Sequence, residues 1–250
     1  PGVCGIVEGS VRPDHYGIEA GQSAVGDIFL WFVNNLVPDS YGKTQTEKFI
    51  YLEKAASKLK PGESGLLALD WSNGNRTVLV DTQLTGLILG QTLQTKAHEI
   101  YRALIEATAF GALTIINRIE DYGVTLEQIV NCGGLATKNG LLMQIYADII
   151  NKPMLVVKSD QTCALGAALL SAVATGKENG GYESIDEGQK HLCSFRDIAY
   201  EPNSENGKQY KDIYTLYKKL HDSFGTAEWS GSLYDVMKSL LKIQQASKQG

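Results

Sequence analysis

Cysteine is scarce, four residues in a chain of 250, and Cys4, Cys132, Cys163 and Cys193 lie too far apart to form a C-x-x-C pair. That spacing argues against a disulfide framework or a cysteine zinc site and leaves reduced thiols as the expectation. The four histidines are scattered too, so no metal-ligating set is expected among these residues. Positive charge is in deficit, with 23 Lys and Arg against 28 Asp and Glu and a net charge of -5. No basic run offsets that balance, so nucleic acid is not an expected partner. No apolar stretch approaches the roughly 20 residues of a membrane-spanning helix, and no basic segment followed by an apolar signal core stands near Pro1. No membrane association is expected, and a cytoplasmic setting is the default. Asn75-Arg76-Thr77 fits the glycosylation pattern, but without a secretion signal its use is not expected. A Walker loop and a nucleophile elbow are also missing.

What is present is ordinary globular material. Hydrophobic residues make up 43% and charged residues 20%, enough for a substantial core in one large or two small domains. The chain opens at Pro1, without methionine, on a strand-like run, which raises the expectation that it was cut from a larger protein.

β-branched residues over Val3 to Val11 predict a short strand or hairpin. Val25, Ile28, Phe29, Phe32, Val33 and Leu36 recur at helical spacing within Gln22 to Val37, and a second helix over Thr44 to Leu59 stops at Pro61-Gly62. Leu66 to Leu69 reads as a buried strand feeding the polar loop Asp70 to Arg76. The strongest helix spans about Thr95 to Tyr122. Strand, helix, strand and helix then succeed one another over 129–132, 138–150, 154–157 and 162–175, which favours an α/β sheet covered by helices. A polar region runs from Gly176 to about Gly207, and helical patterns return at 209–221 and 233–245.

Four blocks could carry chemistry. At Gly133-Gly134 a buried strand meets a helix; with no Cβ in the way, backbone there can approach a flat or phosphorylated ligand beyond the strand's carboxyl end. The alternative is a tight turn that merely needs glycine. Small residues in Cys163-Ala164-Leu165-Gly166-Ala167-Ala168 fit close helix packing or, alternatively, a ligand. In Glu19 to Asp27, Gln22 or Ser23 could cap the next helix, while Glu19 could accept hydrogen bonds from sugar hydroxyls. The loop Asp70 to Arg76 suits a polyhydroxylated ligand, a domain contact, or a self-bonded surface loop. No aspartate or histidine has a context that marks it as a general base.

Together these blocks resemble the FGGY carbohydrate kinases. The family's second signature is similar to Gly133-Gly134-Leu135-Ala136-Thr137-Lys138-Asn139 followed by Gln144 and Asp148. The run Cys163 to Leu169 is similar to a helix in which many members have Thr-Ala-Leu-Gly-Ala-Ala. Glu19 to Asp27, Leu69 to Arg76 and Tyr101 to Gly111 look most like the members that act on L-ribulose. The resemblance covers roughly residues 1–176.

That resemblance implies an α/β fold, an actin-like ATPase (ribonuclease-H-like) domain with a mixed sheet flanked by helices. It implies ATP and Mg2+ as cofactors, with adenine against the Gly133-Gly134 turn, and Gly133, Gly134 and Lys138 as nucleotide-binding positions. Lys138 stands where relatives often have asparagine. Glu19 matches a carboxylate placed against the sugar, L-ribulose or a related pentulose. The family's catalytic aspartate and phosphate loop fall upstream of the stretch that corresponds to Pro1. No catalytic residue is therefore expected in this chain, which would need the N-terminal domain of the same enzyme as a partner and would be inactive alone. The implied reaction phosphorylates the C5 hydroxyl of L-ribulose to L-ribulose 5-phosphate, in L-arabinose catabolism. Residues 1–176 would form the C-terminal nucleotide-binding domain and 177–250 a partly helical extension, with oligomeric state open, a homo-oligomer included. Two alternatives stand beside this: a family kinase for another pentulose or pentitol, and a non-catalytic actin-like nucleotide-binding module, which would be expected to lack Glu19 and Arg76.

Overall fold

The computed structural model describes residues 2–197 and 200–249. The β-branched N-terminal run forms β1 (Gly5–Glu8), paired antiparallel with β2 (Tyr16–Glu19) so that Gly5 stands opposite Glu19. Helix α1 (Gly26–Leu36) buries Ile28, Phe29, Phe32 and Val33 of the face its spacing predicts, while Leu36, at its last position, stays exposed. Neither Gln22 nor Ser23 caps it, contrary to expectation: Val25 occupies the cap position and no side chain bonds there. Gln22 is drawn inward to other partners. Helix α2 (Gln45–Ala56) starts on a capping box, Thr44 Oγ1 accepting from Glu47 N at 3.2 Å while Glu47 Oε2 accepts from Thr44 N at 3.0 Å.

Strand β3 (Leu67–Leu69) is buried at every residue and pairs antiparallel with β4 (Leu87–Leu89). Each buried leucine contributes about 1.5–3 kcal/mol, which fixes β3 in the interior and with it the start of the loop at Asp70. Helix α3 (Ala97–Glu120) is buried without interruption from Tyr101 to Gly111, as a central packing element should be. It lies against α1, α2 and β3.

The expected strand-helix-strand unit is present. β5 (Ile129–Asn131) runs parallel to β6 (Met154–Val156), with α4 (Gly134–Lys138) and α5 (Gly140–Ile150) between them. Bridges Met154–Tyr200 and Val157–Phe195 add antiparallel pairing to the β6 segment, so the pairing here is mixed. Among the described residues the named strands form three two-stranded ladders. Asn139 starts α5, its Oδ1 accepting from Leu142 N at 2.9 Å while its Nδ2 donates to Tyr101 Oη at 2.9 Å. The helix ends on Asn151 at φ 56°, the left-handed position that asparagine tolerates.

Helix α6 (Thr162–Thr175) is followed by α7 (Ile185–Leu192), α8 (Ser204–Gly225) and α9 (Val236–Gln249). α8 outruns its predicted span because Asn203 caps it, accepting from Glu205 N and Asn206 N at 3.0 and 3.1 Å. It packs on α3, α5 and β3, and Tyr210, Ile213, Leu216, Tyr217 and Leu220 join the same hydrophobic cluster as Leu67, Leu69 and Phe110.

Candidate functional site

β3 delivers Asp70 directly into the interior, where the residue is 6% exposed. Its Oδ2 accepts from Gln22 Nε2 at 2.6 Å and its Oδ1 from Tyr217 Oη at 3.1 Å. Gln22 Nε2 also donates to the Thr108 carbonyl at 2.8 Å. Gly111 makes room for this meeting, since a Cβ there would lie 2.5 Å from Asp70 Oδ2 and 2.6 Å from Gln22 Nε2. Burial pushes the Asp70 carboxyl up to about 6, opposed by the hydrogen bonds from Gln22 and Tyr217. The Tyr217 phenol is raised well above its ordinary range by burial and by the Asp70 charge, so it keeps its proton and donates. Asp70, Tyr217, Gln22 and Arg76 line one small polar cavity.

Glu19 lies three residues before Gln22, at the end of β2. Its carboxylate pairs with the Arg76 guanidinium, and both side chains are exposed. Between them in sequence, Gly21 N donates to Thr77 Oγ1 at 2.9 Å. The loop after β3 therefore grips the 19–22 segment at three points. The loop also bonds to itself, Leu79 N donating to Asn75 Oδ1 at 3.1 Å.

The Gly133-Gly134 turn stands at the carboxyl end of β5. Gly133 has φ +86°, and a Cβ on either glycine would meet nothing within 4 Å. Lys138 is exposed at the end of α4. Beside this turn, a cavity of about 520 Å³ lies at the carboxyl ends of β5 and β6, lined by Val130, Cys132, Val157, Ser159, Thr162 and Gly166. That is where an open α/β arrangement takes ligands. Leu135 of α4 reaches α1, its Cδ1 3.3 Å from where a Cβ on Gly26 would sit. A larger cleft of about 800 Å³, lined by Asp27, Trp31, Ser72, Asn73, Ile88 and Gln91, includes neither Glu19 nor the Gly133-Gly134 turn.

The structure thus brings Glu19, Gln22, Asp70 and Arg76 together and places Gly133, Gly134 and Lys138 on a separate turn and helix. Packing as the reason for the small residues of α6 is not met: only Leu169 is buried there, and a Cβ on Gly166 would meet nothing. Gln144 and Asp148 hold α8 in place. Asp148 Oδ1 accepts from Gln144 Nε2 and Asn203 N, both at 2.8 Å, and Oδ2 accepts from Asn206 Nδ2 at 2.7 Å. Sequence reasoning missed Tyr217, Thr77 and Gly111. The Tyr210, Ile213, Tyr214, Tyr217 spacing signals a buried helix face but not its partners. The four cysteines are free and exposed. Among the described residues no group of three or more His, Cys, Asp and Glu side chains could hold a metal ion, and no helix is long and apolar enough to cross a membrane.

A parallel strand pair opening on a double-glycine turn, with a separate carboxylate–guanidinium pair held from within, belongs to an α/β domain whose solved neighbours place it in the actin-like ATPase class. Solved sugar kinases share the fold. The xylulose kinase from Rhodospirillum rubrum gives a TM-score of 0.71 at 21% identity, covering 85% of this chain and 40% of that one. The ligand-bound xylulose kinase from Lactobacillus acidophilus gives 0.70 at 23%, covering 86% and 41%. The chain belongs to the FGGY family of carbohydrate kinases, whose C-terminal domain matches residues 1–175. It is 53% identical to the ribulokinase of Anoxybacillus flavithermus over 252 residues, 99% of this chain and 44% of that protein. The ribulokinase of Geobacillus thermodenitrificans gives the same identity and coverage. The chain therefore spans less than half the length of the curated relatives it matches.

Proposed function

We propose that this chain is the C-terminal, nucleotide-binding part of an ATP-dependent ribulokinase that phosphorylates the C5 hydroxyl of L-ribulose. The observation that carries the reading is the 53% identity to ribulokinases over 99% of the chain, which includes the extension beyond residue 175 where the family match ends. Residues 1–176 would carry the nucleotide and 177–250 form an extension whose α8 packs into the same core. Glu19, exposed at a strand end, would accept hydrogen bonds from sugar hydroxyls, with Arg76 orienting it. Gly133 and Gly134 would let backbone approach the adenine, and the exposed Lys138 would reach the nucleotide.

ATP is the phosphoryl donor the family implies. Magnesium accompanies it on the general chemistry of phosphoryl transfer, neutralising charge on the phosphates. The described residues offer no metal-holding cluster, so none of them is assigned to the ion. The general base and the rest of the phosphate site belong, on this reading, to the remainder of the enzyme, in a cytoplasmic setting. Assays of the intact kinase with ATP and a panel of L-ribulose, D-xylulose and ribitol test this. L-Ribulose turnover well above the others is expected, and preference for another sugar would overturn the assignment. In the same enzyme, Gly134→Val should raise the ATP KM roughly tenfold or more with little change in thermal stability, because a Cβ there meets no protein atom within 4 Å while the branched side chain would stand where the adenine is proposed to lie. An unchanged ATP KM would remove the Gly133-Gly134 turn from the nucleotide site.

A further inference from the structure

We propose that Tyr217, on α8 of the C-terminal extension, is a positioning residue for Glu19 and hence for the sugar, acting through Asp70 and Gln22. The proposal rests on the reading of Glu19 as sugar-facing. Its geometry is a chain of bonds: Tyr217 Oη donates to Asp70 Oδ1 at 3.1 Å, and Asp70 Oδ2 accepts from Gln22 Nε2 at 2.6 Å. Gln22 is separated from Glu19 by two residues, one of which, Gly21, is held by Thr77. Thr77 in turn adjoins Arg76, the partner of Glu19.

Magnitudes decide which contact sets the position of Glu19. The Glu19–Arg76 pair is exposed on both sides, and exposed pairs are worth only about 0–1 kcal/mol. It cannot hold a strand end against thermal motion by itself. The bonds to Asp70, one buried and one half-buried, end on a buried carboxylate, the kind worth about 1.5–3 kcal/mol each. The β1 ladder holds the Glu19 backbone, Cys4 N donating to its carbonyl at 2.8 Å; beyond the strand end the segment is located from inside, and the innermost anchor is a tyrosine outside residues 1–175, the part that matches the family domain. The other polar anchors of α8 do not serve this segment: Tyr210 bonds to Arg102 and Glu106, and Asn203 and Asn206 bond to Asp148.

Tyr214 provides a matched control. It lies one turn back on the same helix, and among the described residues its hydroxyl bonds to Thr114 and Asn117 of α3, each at 3.1 Å. In the intact kinase, Tyr217→Phe should raise the KM for the preferred pentulose roughly 5- to 30-fold, leaving the ATP KM within about twofold, as expected when a bond that positions one ligand's partner is lost. Tyr214→Phe should lower thermal stability by a similar amount and leave both KM values within about twofold. Gln22→Met, which keeps the side chain's length without its amide, should reproduce the sugar-only effect and serves if Tyr217→Phe fails to fold. An unchanged sugar KM in the folded Tyr217→Phe or Gln22→Met enzyme, or an equal rise in both KM values, would overturn the proposal while leaving the kinase assignment intact. A wild-type enzyme that phosphorylates no pentulose would overturn both.

Discussion

Gly111→Ala should destabilise the protein, against helix propensity. Gly111 lies inside α3, where alanine is normally favoured over glycine by about 1 kcal/mol. Here the new Cβ would stand 2.5 Å from Asp70 Oδ2 and 2.6 Å from Gln22 Nε2. Neither atom is a free side-chain end: Asp70 is held by Tyr217 and Gln22 by the Thr108 carbonyl. Relief means shifting α3 or parting Asp70 from Gln22. Overpacking costs about 1–3 kcal/mol, and losing one buried bond to a carboxylate costs about 1.5–3 more. After the propensity gain, the net loss is about 3 kcal/mol, a fall of roughly 6–12 °C in melting temperature at this chain length. Thermal denaturation of wild-type and Gly111→Ala enzyme followed by circular dichroism measures it. Adding Asp70→Ala to Gly111→Ala should cost less than the sum of the two single changes, because the clashing carboxylate is gone. A Gly111→Ala enzyme as stable as wild type or more so would refute the crowding argument.

Two further predictions concern the buried charges. Burial raises Asp70 from the usual 3.8 to about 6, so the folded state holds that proton more tightly than the unfolded chain. Its contribution to stability is complete below about pH 4 and is lost as pH rises through 6, by about 3 kcal/mol at most. Denaturant titrations should therefore show wild type losing stability relative to Asp70→Asn between pH 4 and 7, and parallel curves would contradict this. Glu106, raised by burial and opposed by the Arg102 charge, accepts from Arg102 Nε at 2.8 Å and from Tyr210 Oη at 2.9 Å. Glu106→Leu leaves the Arg102 cation buried alone and should cost about 3–5 kcal/mol, most of it recovered by adding Arg102→Met. A double variant no better than the single would show that the arginine is not the source of the loss.

Most of the longer helices were legible because they carry their own period, whereas α7 (Ile185–Leu192), inside the stretch read as a polar region, was not. Phe29, Phe32 and Val33 mark the inner face of α1 without reference to anything else in the chain, and Gly176 marks where α6 ends. β4 was not legible, since three apolar residues after a glycine carry almost no periodicity. The sugar-side block was recognised as a string, Glu19 to Asp27 and Leu69 to Arg76, but the capping role offered to Gln22 failed. A buried carboxylate 48 positions away competes for the same amide, and only tertiary structure brings it there. The small residues of α6 suggested packing that the described residues do not provide.

Two of the buried polar clusters among the described residues have similar chemistry and different consequences. Arg102, Glu106 and Tyr210 satisfy one another and the Ala56 carbonyl, so the cluster closes on itself and ties α2, α3 and α8 together. Asp70 closes on nothing: its two oxygens reach Tyr217 on one side and Gln22 on the other, and from Gln22 the chain leads to an exposed carboxylate. A closed cluster can fail only as stability, since no surface group depends on it. An open one transmits a displacement at its inner end to its outer end, because both intervening bonds end on the buried Asp70 carboxylate and the backbone between Gln22 and Glu19 has only Gly21 and Ala20 to absorb it. Disturbing the first should move the melting temperature alone, and disturbing the second should also move the sugar KM.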